Sequence, residues 1–348
     1  MKKIGAVILL ITMCLGLIGS TSGCKKEETR ELNFFNWTEY MPQELIDKFQ
    51  KETGIKVNYS TYSSNEEMYA KVTAAPGVYD MVVATDYMVD IMVKQSMLEE
   101  INKDNIAKIG NYGAAYMDQS FDPGNVYTLP YMAGSVLMVY NKTMIDKPIE
   151  TYADFWDESL KDNTVVLDDQ RAIIGMALKK LGYSINETDE AILALAVEEL
   201  KTLKRNIKAF DSDSPKSLLI SGEVAAGYVW SAEAVLAQNE NSNLVVVIPE
   251  EGTYLFQDNF AIPKGAKNKD EAEAFINFML DPENGKVFSE SRPYSNPNAA
   301  VLELLSEDMK NNKAVYPPDS FFEVSEFVLD LGETTLVYDE MWTKFKQE

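Results

Sequence analysis

The chain is 348 residues long, 46% hydrophobic, 11% aromatic and 25% charged, which excludes disordered and fibrous classes and leaves room for two domains. Its 32 Lys and Arg against 55 Asp and Glu give a formal charge of −23, which repels a phosphate backbone and argues against nucleic acid as a partner. There is no histidine, and Cys14 and Cys24 both precede the expected folded region, so that region is expected to hold no Ser-His-Asp triad, metal centre, thiolate nucleophile, disulfide or cofactor.

At the N-terminus, Met1, Lys2 and Lys3 make a positive start, and Ile4 to Ile18 is an apolar stretch shorter than the roughly 20 residues a spanning helix needs. Gly19 to Gly23 are small residues leading to Cys24. This order reads as a signal peptide over residues 1–23. Small residues directly before a cysteine resemble a bacterial lipobox, although Thr21 stands where the usual Leu would be, so Cys24 is expected to carry a lipid. Residues 24–31, containing the polar run KKEETR, would be the tether.

From Leu32 onward, strand-like and helix-like runs alternate. Leu32 to Trp37 reads as a strand, and Pro42 to Thr53 as a helix with Leu45, Ile46 and Phe49 on one face and Gly54 as its stop. Ile55 to Tyr62 is a strand, Glu66 to Ala75 a helix and Met81 to Val83 a buried strand. This βαβαβ order predicts a parallel sheet covered by helices. Further on, Thr164–Leu167, Ile207–Phe210, Val224–Trp230 and Leu244–Ile248 read as strands. Arg171–Lys180, Asp189–Lys204, Glu271–Leu280 and Thr334–Lys346 read as helices, the last docking Leu336, Val337, Met341, Trp342 and Phe345. The length exceeds one core, and the absence of a flexible linker after Leu32 predicts two α/β lobes joined by shared strands and able to hinge.

Several strands end in a carboxylate, an aromatic residue or both: Trp37-Thr38-Glu39-Tyr40, Thr85-Asp86-Tyr87, Asp168-Asp169, Trp230 and Asp258. Ligands of α/β sheets sit outside the carboxyl ends of strands, and a cleft of carboxylates and aromatic faces suits an organic cation. Most acidic residues are nonetheless solvated surface and most aromatic ones core. Asp258 is sharper because it interrupts an apolar series, whereas Asp86 equally suits a cap for the helix that follows. A pair of carboxylates could also serve glycoside hydrolysis, but no spacing singles one out. The cluster Asp211-Ser212-Asp213 lacks the Gly and Glu of a calcium loop.

The stretch Asn36-Trp37-Thr38-Glu39-Tyr40, together with Glu52–Val57, Tyr59–Tyr62, Tyr79–Val83, Phe121-Asp122-Pro123, Lys180–Ser184, Phe210–Pro215 and Ala261–Lys269, resembles the bacterial spermidine/putrescine-binding proteins of ABC importers. The resemblance implies a two-lobe type II periplasmic-binding-protein fold, crossed near residues 133–136 and 258–260, that closes on one polyamine in the cleft between the lobes. It divides the chain into residues 32–134 and 260–300 for lobe 1, and residues 135–259 and 301–348 for lobe 2. Carried over by position, Trp37, Thr38, Glu39, Tyr40, Thr85 and Tyr87 line one wall. Asp169, Ser212, Trp230, Phe256, Asp258 and Tyr294 complete the site, with Glu39, Asp169 and Asp258 pairing with ammoniums. The sequence departs from the family pattern at Ala172, Phe256 and Val328, where Glu, Trp and Gln are usual; one carboxylate fewer favours a diamine. The implied protein is a monomeric binding subunit, not an enzyme, anchored on the extracytoplasmic face and working with membrane permease subunits. The alternative is the same fold binding another organic cation, a sugar or a metal.

Overall fold

The computed structural model describes residues 30–347; the signal peptide at residues 1–23, the lipid site Cys24 and most of the tether lie outside the described residues. Within the compact unit Glu31–Glu348, ten strands form one sheet. They are β1 Glu31–Trp37, β2 Lys56–Tyr62, β3 Met81–Thr85, β4 Thr128–Asn141, β5 Thr164–Val166, β6 Ile207–Phe210, β7 Ala226–Trp230, β8 Leu244–Val247, β9 Tyr254–Ala261 and β10 Glu326–Phe327. Their order is β2-β1-β3-β9-β4-β7-β5-β6, with β8 beside β4 and β10 beside β9.

The first βαβαβ unit forms as its punctuation dictates. Pro42 starts the helix Gln43–Thr53, Gly54 ends it at φ 71°, and Leu45, Ile46 and Phe49 are buried beneath it. Ser64 caps the helix Asn65–Ala74 by accepting from the Glu67 N–H. The pairs β1–β2 and β1–β3 are parallel, as are β5–β6 and β5–β7. Phe34 anchors this half of the core, its ring 5.4 Å from Tyr59 and 5.2 Å from Phe275, and burying such a ring is worth about 1.5–3 kcal/mol.

The expectation of a parallel sheet needs correction at its centre. β9 runs antiparallel to both β3 and β4, and β4 runs antiparallel to β7 and β8. β4 pairs with β9 through Ser135 and with β7 from Val136 onward, so one long strand belongs to both halves. The bulge between Pro130 and Met132 accommodates a residue that has no N–H to donate. The helices Ser231–Glu240 and Pro282–Ser291 add to the elements expected from the sequence. In the C-terminal helix Thr334–Gln347, Tyr338 and Phe345 are buried, whereas Leu336 is 67% exposed and does not dock. Trp342 and Phe345 instead meet Phe210 edge-on, at 5.7 and 5.9 Å.

Candidate ligand-binding site

The strand ends converge as the α/β rule requires. Trp37 ends β1, Thr85 ends β3, Trp230 ends β7, and Asp169 and Ser212 follow β5 and β6. Asp258, on β9, lies directly opposite Thr85. The Thr85 hydroxyl donates to Asp258 Oδ1 at 2.6 Å. The Tyr40 hydroxyl approaches the same carboxylate without reaching hydrogen-bond geometry, and Oδ2 has no protein partner. Asp258 is 1% exposed, and burial pushes its carboxyl up to about 7, with the two hydroxyls pulling it partly back. A buried carboxylate with an unpartnered oxygen can accept a hydrogen bond from a cationic donor.

Aromatic rings extend from Asp258 in an unbroken series. Trp37 lies 5.8 Å from Tyr40, Tyr40 5.8 Å from Tyr294, Tyr294 5.8 Å from Phe256, and Phe256 5.4 Å from Trp230. The Trp230 indole N–H donates to the Ser212 carbonyl at 3.1 Å, which fixes the ring. Burial keeps the Tyr40 and Tyr294 phenols well above their ordinary range, so both remain neutral. Such faces can hold methylenes and ammonium charge together.

Tyr87, Asp169 and Ser212 line an adjoining open cavity of about 540 Å³ that also carries Glu66, Asp168 and Asp213. Asp169 is half-buried and caps the helix Gln170–Lys180 by accepting from the Ala172 N–H at 2.9 Å. Burial pushes its carboxyl up to about 6, against the pull of that N–H. Asn65 joins the two regions by donating to Thr85 Oγ1 at 3.0 Å and to the Tyr87 hydroxyl at 3.1 Å. Tyr87 in turn donates to Glu66 at 3.0 Å.

Thr38 and Glu39 sit differently from their neighbours. The Thr38 hydroxyl donates to the Tyr62 carbonyl at 3.2 Å, tying the turn to β2. Glu39 is in the left-handed region at φ 62°, and its carboxylate lies 3.6 Å from Lys216 and 3.8 Å from Arg292. Sequence reasoning missed Asn65, Tyr62 (4.8 Å from Trp37), Tyr254 (6.1 Å from Trp230) and Glu233. It also underrated Asp86, which accepts from the N–H groups of Tyr87 and Gln257 and so clamps β9 against the start of its helix. Ala172 and Val328 are buried and apolar, so neither offers a ligand a polar group. Among the described residues no group of three or more acidic or thiol side chains stands close enough to hold a metal ion.

The sequence model of the family described as bacterial extracellular solute-binding protein matches residues 44–317. The chain belongs to that family. Among curated relatives, the spermidine/putrescine-binding periplasmic protein of Salmonella typhimurium is 41% identical over 340 residues, 97% of each chain. Among solved structures, a chain from Listeria monocytogenes described as a spermidine/putrescine ABC transporter superposes with a TM-score of 0.88 at 36% identity, covering 91% of this chain and 99% of that one. A Treponema pallidum lipoprotein superposes with a TM-score of 0.81 at 29% identity, covering 91% of this chain and all of that one at 100%. The solute-binding fold is the two-lobe one, and relatives of this solute-binding protein are transport proteins, not enzymes.

Proposed function

We propose that this protein captures a polyamine outside the cytoplasm and delivers it to the permease subunits of an ABC importer. The observation that carries the reading is Asp258: a carboxylate inside a wall of Trp37, Tyr40, Trp230, Phe256 and Tyr294, with one oxygen unpartnered. An ammonium placed there restores a charge-assisted hydrogen bond, while ring faces on either side receive the methylene stem. Asp169, half-buried beside Tyr87, supplies the second anionic contact. The names of the relatives support the ligand class.

Trp37, Thr38, Glu39, Tyr40, Thr85 and Tyr87 belong to one wall, and Asp169, Ser212 and Trp230 to the other. Phe256, Asp258 and Tyr294 stand on or beside the connection between them. We assign residues 32–134 and 260–300 to lobe 1 and residues 135–259 and 301–348 to lobe 2, because β4 and β9 are the strands that connect the two sets. A ligand that touches both walls only when they approach shifts the protein toward its closed form, which the permease would recognise. Signal-peptide removal after residue 23 and lipid on Cys24 would hold a monomer at the membrane surface.

Equilibrium dialysis of radiolabelled putrescine against the purified protein and its Asp258→Asn variant tests the reading. The variant is expected to lose about a hundredfold or more in affinity, the scale for breaking a buried charge pair, while retaining its circular dichroism. Equal affinity would remove Asp258 from the site.

A further inference from the structure

Four charges form one cluster at the Glu39 edge of the aromatic wall. Lys216, at the start of the helix Lys216–Ser221, donates to both oxygens of Glu233, at 2.9 and 2.8 Å. The same ammonium stands 3.6 Å from Glu39 Oε2, which Arg292 approaches from another side at 3.8 Å. The Lys216 and Glu233 side chains are only 16% and 8% exposed, so this is a desolvated bidentate pair and not a loose surface contact.

Three chain segments join the cluster to the site. Glu39 immediately precedes Tyr40, and Glu233 lies in the first turn of the helix that Trp230 begins. Ser212, which holds the Trp230 indole, stands on the loop leading to Lys216. The Glu233 carboxylate is close enough to Tyr294 to disfavour its ionisation further, after burial. Two carboxylates and two cations balance here, so this end offers an arriving ammonium no uncompensated charge. Asp258 keeps an unpartnered oxygen, and Asp169 lines the open cavity.

We propose that the Lys216 ammonium is a permanent occupant of one cation position at the Glu39 end of the cleft, so that the protein selects ligands with two ammoniums over ligands with three. The proposal rests on the polyamine reading above and adds the residue that sets the number of charges accepted. A third ligand ammonium reaching this end would have to displace Lys216 from Glu233 and leave one of the two cations buried without a partner. Lys216 also joins Glu39, which follows β1, to Glu233, which follows β7, so the same ammonium ties the two walls together.

The test is calorimetric titration of the purified protein and its Lys216→Met and Lys216→Gln variants with putrescine and with spermidine. The unmutated protein should prefer putrescine. Both variants should raise the spermidine-to-putrescine affinity ratio by about tenfold or more, the scale of one charge-assisted hydrogen bond; Lys216→Gln can still hydrogen-bond Glu233, so the ratio is read even if methionine is not tolerated. Lys216→Arg should keep the original preference. Tight putrescine binding with an unchanged ratio in the variants would overturn this inference alone. Absence of amine binding by the unmutated protein would overturn the polyamine reading and this inference with it.

Discussion

The Asp258 carboxyl is pushed up to about 7 from an ordinary 3.8, so between those values the native chain binds more protons than the unfolded one. Stability of the ligand-free protein therefore falls as pH rises through that window. At about 1.4 kcal/mol per pKa unit, the penalty above pH 7 is on the order of 4–5 kcal/mol. Asp258→Asn should accordingly raise the melting temperature of the ligand-free protein at pH 8 and leave it nearly unchanged at pH 4; equal shifts at both would deny the carboxylate this role. Binding carries the opposite sign, because an ammonium needs the ionised form. Affinity should decline by up to about tenfold per pH unit below 7 as the ligand has to expel a proton, and titrations in buffers of different ionisation enthalpy should show that proton leaving. Asp258 was legible in the sequence because a charge inside an apolar series needs a reason. The pairing of Glu39 with Lys216 and Arg292 was not, since those partners are distant in the chain and meet only through the fold.

The elements that position these residues were legible wherever local chemistry punctuates them. Pro42 and Gly54 frame one helix and Ser64 opens the next, so the first βαβαβ unit falls where the pattern put it. β4 was read only in part, as a crossing at residues 133–136. Pro130 and Gly134 interrupt its apolar run and speak locally against a strand, yet tertiary pairing with β9 and β7 holds it extended for 14 residues. Gly134 has a further use. A Cβ there would stand 2.7 Å from Phe256 Cζ and 2.7 Å from Tyr294 Cδ1, so the missing side chain lets the two rings close over the connecting strand. Gly134→Ala should displace them, at an overpacking cost of about 1–3 kcal/mol, and weaken putrescine binding roughly tenfold. A melting curve and a titration on the same sample separate the two effects, and unchanged affinity would mean that the rings do not set the pocket.

At the scale of the molecule, the two lobes proposed above would share the strands β4 and β9 and meet again through side chains. Lys94 reaches Asp330 at 2.9 Å, Lys216 reaches Glu39 at 3.6 Å, and the Ser63 hydroxyl reaches Asp213 at 3.3 Å. Such exposed or half-exposed ties are individually weak, so a ligand that replaces water between the walls can decide the balance between open and closed forms. Small-angle scattering should show the radius of gyration falling when putrescine is added, and an unchanged radius would argue against closure. The charge of −23 draws cations toward the whole surface, an attraction that salt screens beyond about 8–10 Å, whereas a desolvated carboxylate in a cleft is screened far less. Calorimetric titration of the purified protein with putrescine at low and at physiological salt separates the two attractions. One tight site that persists at physiological salt is expected; weak, multivalent binding that disappears as salt is added would mean that no desolvated carboxylate captures the amine.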